Sequence, residues 1–79
     1  MIAAYILIEM RPGSTDKAIE KMRKIENIVK ISVVAGEYDI VVRVHVKNLN
    51  SLLKVTNKIQ MIEGVRKTTT QVIEKEIAL

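Results

Sequence analysis

The stretch VVAGEYDIVVRV, residues 33–44, decides the fold. Two runs of β-branched and aliphatic residues meet at Gly36-Glu37-Tyr38-Asp39, so the segment reads as two strands joined by a turn. Beyond the turn the alternation is clear. Ile40, Val42, Val44 and Val46 face one way, and Val41, Arg43 and His45 face the other. The first set is wholly apolar and belongs on a core. The second mixes apolar and charged residues.

Working outward, Ile28 to Ala35 forms the strand before the turn, and Glu26-Asn27 separates it from a helix. That helix is capped by Ser14 or Thr15 and runs to about Ile25, with Ala18, Ile19, Met22 and Ile25 forming its apolar stripe. Glu20 and Lys24 have the spacing of a helical ion pair. Arg11-Pro12-Gly13 ends an earlier strand, Ile2 to Met10, which places Ile6 and Ile8 on one face and Tyr5, Leu7 and Glu9 on the other. After the hairpin, Asn48 caps a second helix whose buried side is supplied by Leu49, Leu52, Leu53, Val55, Ile59 and Ile62. Gly64 suits the helix exit, and Val65 to about Glu74 is the last strand.

The order is therefore βαββαβ, an α+β chain. The junctions Ile25-Glu26-Asn27-Ile28 and Ile62-Glu63-Gly64-Val65 echo each other. Two similar halves of this kind predict the ferredoxin-like arrangement, a four-stranded antiparallel sheet with two helices on one face. Residues 1–79 make a single domain, and two helices cover only one side of its sheet. The uncovered side, carrying Tyr5, Leu7, Val41, Arg43 and His45, is an expected surface for self-association into a dimeric α+β barrel.

Composition narrows the function classes. With 48% hydrophobic residues the chain folds rather than staying disordered, and a domain this small has surplus apolar surface for partners. It contains no cysteine, which excludes disulfides and thiolate chemistry. No apolar run reaches the roughly 18 residues that a membrane span needs, and the N-terminus lacks a basic leader, so no membrane association and a cytoplasmic location are expected. The net charge of +4 is mild, and its cations alternate with acids along the helices, which argues against direct nucleic-acid binding. The only aromatics are Tyr5 and Tyr38, too few for a base-stacking RNA surface. Abundant Lys, Glu, Ile and Val suit a heat-adapted (thermophile) source.

Chemistry has few carriers. His45 is the one histidine and has no visible acid-base partner, so no catalytic residue is assigned and no enzyme is expected. No acid cluster has metal-ligand spacing, and the scattered Gly13, Gly36 and Gly64 form no phosphate-cradling loop, so neither a metal nor a cofactor is expected. Arg11 lies where an acylphosphatase keeps an arginine, but Pro12-Gly13 follows it without a cradle. Glu37 and Asp39, read as extended strand, project together beside Val41 and can accept hydrogen bonds from an ammonium group. Thr68 and Thr70 share a face of the last strand and offer hydroxyls, although the Thr68-Thr69-Thr70 run leaves the register open.

The strand AAYILIEMRPG, the hairpin VVAGEYDIVVRV and the segment IEGVRKTTTQV, in this order and spacing, resemble the RAM effector domain of the Lrp/AsnC regulators. The resemblance covers nearly the whole chain. It implies sheet-paired dimers assembled into octameric or decameric rings, with an amino-acid effector bound between dimers near the glycine-bearing hairpin. Carried onto this sequence, the ligand residues are Gly36, Glu37, Tyr38 and Asp39, with Thr68 and Thr70 as secondary candidates. Full members of the family carry a helix-turn-helix domain before this one. The sequence here starts at the first effector-domain strand, so a stand-alone form is expected, acting alone or through a full-length Lrp/AsnC partner. The alternative is a structural oligomerisation module without a ligand.

Overall fold

The structure is a computed structural model describing residues 1–79. Its elements are β1 (Ile2–Met10), α1 (Thr15–Met22), β2 (Ile28–Val33), β3 (Ile40–Val46), α2 (Leu49–Gln60) and β4 (Val65–Val72). The strands form one antiparallel sheet in the order β2-β3-β1-β4. This is the βαββαβ arrangement expected from the sequence. Within the chain the sheet is open, with β2 and β4 as its edges, and does not close into a barrel.

The core forms where the two most regular strands pair. Ala4, Ile6 and Ile8 of β1 lie opposite Val44, Val42 and Ile40 of β3, and all six are fully buried. Onto this floor α1 lays Ala18 and Met22, and α2 lays Leu52, Val55 and Ile59. Burying each such aliphatic side chain contributes about 1.5–3 kcal/mol, so this single layer of contacts carries most of the folding drive. Thr56 shares the buried stripe of α2 because its hydroxyl donates back to the carbonyls of Leu52 and Leu53, at 3.0 and 2.9 Å.

The helix ends follow local chemistry. Asn48 Oδ1 accepts from the Ser51 amide at 2.9 Å, which satisfies one of the free donors at the start of α2. Ser14 takes the corresponding position before α1, but its hydroxyl donates to the Arg11 carbonyl instead of capping the helix. Both helix-to-strand junctions pass through left-handed backbone, at Asn27 (φ 77°) and Gly64 (φ 94°). The echo between the two halves is thus a shared backbone turn. Gly64 is further required by packing, since a Cβ there would collide with the Ser14 side chain.

Several boundaries and contacts differ from expectation. Helix α1 ends at Met22, so Lys24 lies beyond it and Glu20 pairs with Arg23 at 3.8 Å. Strand β2 stops at Val33 and β4 at Val72. Leu49 and Leu53, expected on the buried side of α2, are 62% and 59% exposed. The buried stripe is the narrower set Leu52, Val55, Thr56 and Ile59, because a helix on a flat sheet covers one line of residues.

Candidate functional site

Tyr5, Leu7, Val41, Arg43 and His45 lie on the sheet face turned away from the helices, half-buried and alternating with the buried core positions. The alternation of β1 and β3 therefore sorts side chains as read from the sequence. At one end of this face stands the hairpin and at its centre a polar cluster.

The hairpin residues 34–39 form a bend outside both strands, so strand alternation does not order Glu37 and Asp39. Asp39 is instead tied to β1. Its amide donates to the Ile8 carbonyl at 2.9 Å, and its Oδ2 accepts from the Met10 amide at 2.7 Å. The β1·β4 register shifts between Glu9 and Met10, and the Asp39 carboxylate supplies the acceptor for the Met10 N–H at this irregularity. Its own carbonyl accepts from the Val34 amide at 3.0 Å, closing the bend. Glu37 is exposed. Gly36 has φ 147° and open space where a Cβ would stand, so the backbone here is accessible to a ligand.

Tyr38 reaches across β1, and its hydroxyl lies 3.3 Å from Thr69 Oγ1 on β4. Thr69 is opposite Leu7 and so shares the uncovered face. Thr68 and Thr70 are opposite Ile8 and Ile6 and so face the helix layer. There Gln60 Nε2 donates to Thr68 Oγ1 at 2.9 Å, while Thr70 borders a shallow groove with Leu49, Leu52, Leu53 and Thr56. The structure thus brings Tyr38 of the hairpin to Thr69, and leaves Thr68 and Thr70 on the opposite side of the sheet. Thr69 escaped the sequence reading because three consecutive threonines do not reveal their own register. The pairing of Leu7 with β4 was the missing signal.

The central cluster is built around Arg43. Its Nη1 donates to the Tyr5 hydroxyl at 2.8 Å, its Nε donates to His45 Nε2 at 3.2 Å, and its guanidinium carbon lies 5.3 Å from the centre of the Tyr5 ring. Nη1 and Nη2 also donate to the two carboxylate oxygens of Glu76, at 3.0 and 2.9 Å. That hydrogen-bonded pair, followed by its charge attraction, holds the Glu76 carboxyl below the usual glutamate range, and the same bond raises Arg43. Glu76 lies beyond β4, and nothing in the sequence pattern pointed to it.

No three His, Asp or Glu side chains converge to hold a metal. No helix is long and apolar enough to cross a membrane. The chain is thus a small α+β domain with one sheet face left uncovered by its helices and a polar, glycine-bearing corner at the end of that face. The chain belongs to the Lrp/AsnC family: the sequence profile of the Lrp/AsnC ligand binding domain matches residues 3–78.

Relatives agree with this membership. The HTH-type transcriptional regulator FL11 of Pyrococcus furiosus is 34% identical over 74 residues, covering 94% of this chain and 49% of its own length. The chain therefore spans about half of the curated regulators it matches first. TTHA0845 from Thermus thermophilus superposes with a TM-score of 0.92 at 29% identity, each chain covered in full. The transcriptional regulator NMB0573 of Neisseria meningitidis, solved as a complex with L-methionine, superposes at 0.88 over 99% of this chain and 53% of its own, at 18% identity. A homocitrate synthase of Saccharolobus islandicus is 29% identical over 63 residues, which is 80% of this chain but 14% of that enzyme.

Proposed function

We propose that this chain is an amino-acid-responsive regulatory module. Two copies pair through their uncovered sheet faces, with Tyr5, Leu7, Val41, Arg43 and His45 in the contact. Pairs join into a ring, and an amino-acid effector binds at the seams beside the hairpin. The carrying observation is the corner at residues 36–39, where a fixed carboxylate, a phenol and open backbone meet at the edge of the bare face. Asp39, with Glu37, would receive the α-ammonium group, and the Gly36 backbone leaves room for the ligand main chain. Thr69 is the hydroxyl beside this corner. Thr68 and Thr70 take part only through a neighbouring copy docked on the helix side.

Membership in a ligand-binding family and the methionine complex of one structural relative support this reading. The match to a segment of a synthase supports a module that serves proteins other than DNA readers. Regulation then follows from linkage: an effector that fits one assembly better than another shifts the population by its difference in affinity. The same faces accept a full-length Lrp/AsnC regulator, which would carry the response to DNA.

A thermal-shift panel of the twenty amino acids on ligand-free protein tests the proposal. A ligand at a hundred times its dissociation constant stabilises by about 2.7 kcal/mol, well within detection. The substitution Asp39→Asn retains an oxygen for the Met10 amide and removes the charge, so it should abolish the shift without unfolding the protein. A flat panel for the unsubstituted protein defeats the proposal.

A further inference from the structure

The uncovered face sets two cations side by side. Lys30 stands opposite Arg43 across β2 and β3, and His45 is beside it on the same strand. Among the acids, Glu9 lies 3.8 Å from Arg66. The Arg43 side chain is already only 21% exposed. Its carboxylate partner comes from residues 73–79, which continue past β4 with an Ile73 amide bonded to the Ala3 carbonyl at 2.9 Å. From there the tail brings Glu76 to the Arg43 guanidinium, which itself reaches over the Tyr5 ring of β1. The guanidinium fork, held by Tyr5 and His45, receives a carboxylate, and the chain supplies it itself.

We infer that Glu76 is a built-in counter-ion that allows the uncovered face to bury itself against a second copy, so that self-association depends on the tail. This rests on the reading above that copies pair through this face. An unpaired guanidinium withdrawn from water between two sheets opposes association strongly, whereas a two-pronged ion pair with its remaining donors satisfied does not. The tail is therefore part of the docking surface, and a second copy of this chain is its partner. A tail that merely shielded the face would act in the opposite direction, since loosening it would favour pairing.

Sedimentation equilibrium of four proteins separates these outcomes: the unsubstituted chain, Glu76→Gln, Arg43→Met, and the double substitution. Glu76→Gln should raise the dissociation constant of the pair by roughly tenfold or more, because it leaves Arg43 buried and uncompensated. The double substitution should return to within about threefold of the original, because it removes the charge along with its partner. Circular dichroism confirms that each variant is folded. An unchanged or tighter dissociation constant for Glu76→Gln overturns the inference while leaving face pairing intact. Single chains at every concentration for the unsubstituted protein overturn both.

Discussion

The two sides of one sheet have been given different tasks by neighbours in sequence. Ile6 and Leu7 are adjacent on β1, yet Ile6 is sealed beneath the helices while Leu7 stands half-buried on the face that carries Tyr38 and Thr69. On the helix side the buried positions are apolar apart from Thr56, so what counts there is chiefly volume. On the uncovered side Tyr5, His45 and Glu76 are bonded to Arg43, and Tyr38 lies within reach of Thr69. The first side makes the chain fold, and the second is the side proposed to meet a partner.

The sharpest way to break this comparison is to hollow the helix side. Ile6→Ala should cost about 2–5 kcal/mol, because the packed layer around it relaxes only partly into the space left behind. Chemical denaturation would measure it. A loss below about 1 kcal/mol would mean that the two sides are not distinguished by packing. At the hairpin, Asp39→Ala should cost less, about 1–3 kcal/mol, by stranding the Met10 amide without an acceptor. Asp39→Asn should recover most of that loss. If Asn and Ala destabilise equally, the carboxylate matters for its charge and not for the amide it receives.

Smaller again is the effect on the exposed flank of α2. Leu53→Lys should alter stability by no more than about 0.5 kcal/mol in the single chain, since its side chain stands largely in water. A larger loss that appears only at concentrations where the protein assembles would show a neighbouring copy covering Leu49 and Leu53. Denaturation at two protein concentrations distinguishes the cases.

Period and local chemistry made most of the fold readable. The alternation in β3 assigned Val41, Arg43 and His45 correctly, since a strand with one apolar face has only one workable orientation on a core. Asn48 marked the start of α2 and Gly64 the turn into β4, because capping and left-handed backbone are properties of a few residues. The failures share a cause. Leu49 and Leu53 look identical to core leucines until the line along which α2 rests on the sheet is seen. The parity of Glu37 and Asp39 failed because the chain bends there, and Thr69 required the pairing register of β4 with β1. Each depends on contacts between residues distant in sequence. Glu76 is the extreme case: it pairs with Arg43, 33 positions earlier.

That pair also supplies the most subtle test of the uncovered face. Glu76 is held low by its hydrogen bonds to Arg43 and then by that residue's charge, with desolvation opposing and the His45 charge adding to the effect. Tyr5, across on β1, engages the same guanidinium. A carboxyl depressed in the folded chain stabilises it fully above the ordinary glutamate value and loses that contribution as pH falls through the depressed one. The Glu76 end of the pair is open to solvent and salt, so the effect on stability is the smallest expected here. A carboxyl-detected NMR titration from neutral pH downward should give Glu76 a lower midpoint in the unsubstituted protein than in Arg43→Met, with the gap shrinking in high salt. Equal midpoints would mean that the tail does not hold the cation in solution, and the uncovered face would then have to meet its partner with Arg43 unaccompanied.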